Sequence, residues 1–275
     1  MRDLFKTDLK RILKDKLFFV TCIIALVLAV VNPLLNKVLF SLLDLEDVGD
    51  MGDMLGMLVS AKSMFFSSFL PGDNLGLVMP ILIAIIICKD FSQGTVRNKI
   101  IAGKSRHSIF LSHFLTASVT LCAIILLHAL LTLGISLFLF DYQSTPFGIA
   151  DFGYLMLSIL FEMLVYICIA AIVCFVCVFA KNMGLCILAY LGLSMLCSLV
   201  GAVFQVAFSL ASPDNKVLYG VLEFCNNVNV FTSTLIGAGT SYELKDILYI
   251  VLPPVLGALG FFALGDKLLS KKDLK

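Results

Sequence analysis

The sequence predicts an all-α membrane protein: six transmembrane helices, an N-terminal amphipathic interfacial helix, and a short cytosolic helix after the second span. Three observations carry this. The chain is 60% hydrophobic and 14% charged, with a mean hydropathy of +1.03, unlike an ordinary soluble domain of 275 residues. Its apolar residues gather into runs near the roughly 20 needed to cross a bilayer. When six runs are threaded, all of the 20 Lys and Arg except Lys37, Lys62, Lys216 and Lys245 fall on one face. Such an excess of bases marks the cytoplasmic side, so both termini are expected there. The net charge of +1 conceals this asymmetry.

Residues 1–16 alternate charge with Leu4, Phe5, Leu9, Ile12 and Leu13 at helical spacing, the pattern of a helix lying in the inner interface. The first span follows at about 17–36. No small-x-small cleavage pattern follows it, so it is expected to remain in the membrane. An outer loop carries Asp44, Glu46, Asp47, Asp50 and Asp53, with Gly52 and Gly56 outside any span. The second span, about 72–89, contains Pro80, which should kink it or relax its hydrogen bonding.

Residues 90–106 form a basic island with one acid, Asp90. Within it Thr95 is placed to N-cap a short helix, Val96, Ile100 and Ile101 form an apolar stripe, and Gly103 sits where a C-terminal glycine belongs. A water-exposed helix with a sticky stripe at the membrane face is a docking surface. The third span, about 108–140, and the fourth, about 153–180, are joined by a short turn and should be antiparallel neighbours. The fifth covers about 183–211. A short re-entrant helix is expected around Tyr219–Phe224, and a glycine-rich stretch at 236–240. The last span, about 246–266, should be broken at its start by Pro253 and Pro254. Residues 1–275 read as a single domain.

Of nine cysteines, only Cys225 lies outside the apolar runs. Cys174 and Cys177 make a C-x-x-C inside a span, where cysteines serve as small hydrophobes. Residues 98–105, NKIIAGKS, nearly match the phosphate-binding G-x-x-x-x-G-K-[ST], but Asn98 replaces the first glycine and a membrane span stands where a buried strand is required. The chain therefore has no ATPase site of its own. His107, His113 and His128 lack metalloprotease or deaminase spacing and no G-x-S-x-G occurs. No catalytic set, no metal site and no nucleic-acid partner is expected. The polar residues at membrane depth are His128, Glu162 and Gln205. An ionised side chain there costs about 2.5–3.5 kcal/mol on insertion scales and usually faces the protein interior. Counted from the turn, His128 and Glu162 should lie at similar depth, within about one helical turn, as a polar site or a structural pair.

The stretch DFSQGTVRNKIIAGKSR at 90–106, with Ser108–Phe114 opening the next span and Phe179–Asn182 at the fourth-to-fifth junction, resembles the permease subunit of bacterial type-2 ATP-binding-cassette exporters. The topology agrees over the whole chain. The resemblance implies two six-span subunits, identical or related, in the plasma membrane. Each sits on a separate ATPase subunit that binds ATP and Mg, and together they export a small or amphiphilic cargo such as a peptide, antibiotic or lipid-like molecule. The coupling role would fall to Gly94–Lys104, that is Gly94, Thr95, Val96, Arg97, Lys99, Ile100 and Lys104, with Arg97 and Lys99 meeting acids of the ATPase and Val96 and Ile100 filling its cleft. The N-terminal helix would be a lateral second contact. Two other readings compete: a membrane sensor or immunity protein binding a peptide at its outer loops, and a membrane enzyme using Glu162 and His128, for which the spans hold too few polar residues.

Overall fold

The computed structural model describes residues 2–42, 61–68, 71, 74–139, 149–180, 182–211, 216–231 and 243–271. Among them the chain is helical throughout: α1 (Arg2–Lys14), α2 (Lys16–Leu42), α3 (Ala61–Ser67), α4 (Asn74–Ser92), α5 (Thr95–Ile101), α6 (Arg106–Leu139), α7 (Ile149–Phe179), α8 (Met183–Leu210), α9 (Lys216–Val228) and α10 (Leu244–Lys271). Five of these, α2, α6, α7, α8 and α10, are long and apolar enough to cross a membrane; α4 and α5 pass the same test only taken together, bent by 54° at their junction. The acidic outer loop, the Gly52–Gly56 pair, the 236–240 stretch and Lys181 lie outside the described residues.

Local chemistry sets the element ends. Asp15 separates α1 from α2. Its carboxylate accepts the backbone N–H of Leu17 at 2.9 Å, an N-cap that satisfies one free donor of the second helix. Asn182 does the same for α8, accepting from Leu185 N–H at 2.8 Å. Where a break was expected at Pro253 and Pro254, α10 runs through both without interruption. Each proline forfeits one intrahelical donor, which transmembrane helices tolerate because neighbouring groups take up the freed carbonyls. Pro80 likewise lies within a continuous α4.

The core is built around α7, which touches α4, α6, α8 and α10. Its inner residues include Ala170, Ala171, Cys174 and Cys177, all fully buried, small side chains that let helices approach closely. Cys177 makes its thiol contacts across helices, donating to the Ala84 carbonyl at 3.4 Å and standing 3.5 Å from Cys186 Sγ. On α10, a Cβ at Gly257 would come 2.8 Å from Cys168 Sγ, and one at Gly265 would collide with the Phe110 ring. These two glycines therefore set how closely α10 meets α7 and α6. At the other end, the expected short helix forms as α9 and packs on α8 and α10, held by Lys245 against Glu223 at 2.6 Å.

The beginning and end of the described chain meet at one end of the bundle. There α1 packs on the start of α6. Arg106 donates to the carbonyls of Leu269 at 3.0 Å and Ser270 at 2.9 Å, and His107 Nδ1 lies 2.9 Å from the Asp266 carboxylate.

Candidate functional site

The basic island forms a corner at this end. Gly94 has φ 71° and Gly103 has φ 81°, left-handed conformations that glycine adopts without steric cost. Between them stands α5. Gly94, not Thr95, is its N-cap, and no side chain caps it; Thr95 is the first helical residue. Its C-terminus closes as expected. Lys104 N–H reaches Lys99 O at 3.1 Å and Gly103 N–H reaches Ile100 O at 2.9 Å, the paired bonds of a Schellman motif.

The inner face of α5 is consumed by the protein itself. Val96 is 1% exposed and clusters with Leu4 of α1 and Ile109 of α6; Phe91 and Ile100 border them. Lys99 is also turned inward. Its ammonium lies 2.6 Å from Asp8 Oδ1 on α1 and 3.8 Å from Asp90 Oδ2 at the end of α4. Arg11 of α1 pairs through both guanidinium nitrogens with both oxygens of Asp90. Ser112 Oγ donates to Asp8 Oδ2 at 2.7 Å. His113 Nε2 stands 3.5 Å from Lys99 Nζ and 3.6 Å from Asp90 Oδ2. At the rim, Lys89 meets Asp15 at 3.1 Å. Asp8, Asp90 and His113 are each under 5% exposed.

Two carboxylates thus face two permanent cations beside one imidazole, so the charges are paired as a buried ionic cluster requires. Burial pushes the Asp8 carboxyl up, but His113, Lys99 and Ser112 outweigh it and hold Asp8 below its ordinary 3.8. Asp15 is likewise lowered. Its partial burial opposes, and the Leu17 N–H and the Lys89 ammonium prevail.

This geometry corrects part of the expected docking surface. Val96 and Lys99 do not face outward, and Ile100 is only half-exposed; their partners are α1, α4 and α6. The outward face of α5 consists of Arg97, Asn98 and Ile101, with Lys104 just past its C-terminus, all exposed, and Ile101 at 74%. Gly94 and Thr95 lie half-buried at the corner. The N-terminal helix also turns Leu4 and Ile12 into protein.

Sequence reading assigns no site role to Asp8, Arg11, Asp90, Ser112 or His113. One signal for them existed. Asp8 stands midway between Leu4 and Ile12 at four-residue spacing, an acid on the buried face of an amphipathic helix, which calls for a cationic partner.

The intramembrane polar residues do not form one site. His128 is buried and its Nδ1 lies 3.0 Å from the Ala25 carbonyl of α2. Glu162 is 2% exposed, and its Oε2 has no hydrogen-bond partner among the described residues. No described hydrogen bond joins the two. Cys122 Sγ lies 3.8 Å from the Met163 carbonyl, which puts Glu162 opposite about residue 123 of α6 and His128 about 7 Å further along the axis. Gln205 is exposed, because the buried line of α8, Cys186, Tyr190, Ser194 and Gly201, does not extend to it. No group of three or more His, Cys, Asp or Glu with metal-binding geometry occurs among the described residues. No family model and no curated protein matches this sequence.

Proposed function

We propose that this chain is the permease subunit of a bacterial type-2 ATP-binding-cassette exporter. Its six crossings, α4 being the sixth, sit in the plasma membrane with both termini in the cytoplasm. A separate ATPase subunit binds ATP and Mg and docks on α5. Two permease subunits, identical or related, enclose a path for a small or amphiphilic cargo.

The observation that carries this reading is the two-sidedness of α5. A helix of seven residues has no stability of its own in water. This one is held by a buried cluster on its inner face while its outer face presents Arg97, Asn98 and Ile101, and Lys104 just beyond, with no protein cover. An exposed isoleucine ringed by cations fits a partner surface that offers an apolar pocket with acids at its rim. The inner cluster supplies the transmission. A push on α5 reaches Asp8 on α1 and His113 on α6 through Lys99, and those helices are continuous with or adjacent to membrane-spanning ones.

The test is co-purification of the tagged chain with the ATPase encoded beside it. Wild type should retain the ATPase, and Arg97→Glu/Ile101→Asp should lose it while melting at the wild-type temperature, since both side chains face outward. If wild type captures no ATPase, or the double variant binds it equally well, the transport reading fails and a membrane sensor that engages ligand at its outer loops takes its place.

A further inference from the structure

The N-terminal helix has three faces, and only one is accounted for by the cluster. Leu4 and Asp8 are buried against α5 and α6, and Ile12 is buried in the main core. Beside them runs an apolar edge of Phe5, Leu9 and Leu13, half-exposed at the first two and 45% exposed at Leu13. Next to that edge lies a ridge of Lys6, Lys10 and Lys14, recurring every four residues, so successive members neighbour one another on the helix surface. All three are exposed, and none enters an ion pair among the described residues. The sector's single acid is Asp3. A further exposed lysine, Lys16, stands at the first position of α2.

We infer that this second surface of α1 is a binding site for anionic phospholipid headgroups, with Phe5, Leu9 and Leu13 seated at the acyl boundary and Lys6, Lys10 and Lys14 on the phosphates. Position fixes the occupant. Asp15 alone separates α1 from α2, a helix long and apolar enough to span a bilayer, so α1 lies at the level where that helix enters the membrane. A half-exposed apolar edge bordered by lysines is the arrangement in which long cationic side chains reach the headgroups while their stems cover apolar surface. Each lysine near an anionic surface adds to the attraction, which decays within a Debye length. The ATPase is a poorer fit for this edge, because the exposed isoleucine of the docking face belongs to α5, and α1 presents its apolar edge continuously with the base of α2. The inference rests on α2 crossing the membrane and not on the exporter reading, so either can fail without the other.

The chain contains no tryptophan, so a single introduced one reports alone. The experiment places full-length Leu13→Trp in nanodiscs of phosphatidylcholine, with and without phosphatidylglycerol, and measures quenching by lipids brominated on the acyl chain. Ile101→Trp, on the docking face, is the comparison. The expected result is quenching of Leu13→Trp that deepens with phosphatidylglycerol, loses that dependence in Lys6→Gln/Lys10→Gln/Lys14→Gln, and fades as salt is raised, with Ile101→Trp unquenched. Absence of quenching at Leu13 in either lipid overturns the site, as does equal quenching at Ile101. Quenching that ignores phosphatidylglycerol overturns the headgroup assignment. Shielding of Leu13→Trp only on addition of the ATPase reassigns the surface to that protein.

Discussion

Lys99 ties together the helices at this end of the bundle, because its single ammonium serves Asp8, Asp90 and His113 at once. Removing one partner of a buried ion pair leaves the other charge without compensation, at a cost of about 3–5 kcal/mol. Lys99→Met keeps the stem and deletes the charge. It should lower the melting temperature of the detergent-solubilised protein at neutral pH. The deficit should also depend on pH in a fixed direction. Asp8 titrates below its ordinary value in the native state, so through that interval the unfolded chain binds more protons. The stability it contributes is full above its unfolded pKa, about 3.9, and is lost as pH falls through the lower native value. The gap between wild type and Lys99→Met should therefore be widest at neutral pH and close in acid. Melting curves across that range check it; a gap that stays constant into acid would falsify the assignment of Asp8 as the partner that matters.

At the scale of elements, the close crossing of α10 over α6 depends on Gly265, where a methyl group would meet the ring of Phe110. Phe110 is itself confined, its centroid 5.2 Å from that of Phe262. Gly265→Ala should therefore destabilise by roughly 1–3 kcal/mol, the usual cost of overpacking, and Gly265→Ala/Phe110→Leu should recover part of it in the same melting assay. Much of the element order was legible beforehand. Charge-free runs, the glycine at Gly103 and the short helix around Tyr219–Phe224 each announce themselves through local chemistry. Which face of α5 looks outward was not legible. Val96, Ile100 and Ile101 form one stripe in the sequence, and only the arrival of Leu4 and Ile109 decides that Val96 is spent on the protein's own core while Ile101 is left bare. Lys99 misled for the same reason: a base in a basic loop reads as solvent-facing until Asp8, ninety residues away, is brought beneath it. The interior polar residues failed differently. Depth counting from a turn fixes neither height nor azimuth closely enough: Glu162 lies opposite about residue 123, about 7 Å from the level of His128 along the axis, and His128 turns to Ala25 on α2.

For the whole molecule, the ion pairs constrain how many times the chain crosses. Arg11, just before α2 begins, is paired with Asp90, near the end of α4, and α2 packs along α4. On the proposed topology the chain leaves by α2 and returns to its starting level by the end of α4, crossing the membrane twice. At 19 residues α4 is about 28 Å long at 1.5 Å per residue, against a hydrocarbon core of about 30 Å. Taken alone α4 falls short of a span, and it reaches one only together with α5. Counted as a crossing, α4 brings the total with α2, α6, α7, α8 and α10 to six, an even number in keeping with Arg106 reaching the last turn of α10. The expected outcome is that protease-cleavable tags at residue 1 and at residue 275 are both protected in intact cells and both cut in inverted vesicles. A tag inserted next to Glu243, at the opposite end of α10, should behave in the reverse way. Opposite accessibility of the two terminal tags would mean an odd number of crossings and would remove α4 from the count. The bend into α5 would then be the turn of a re-entrant hairpin and not the corner of a docking loop.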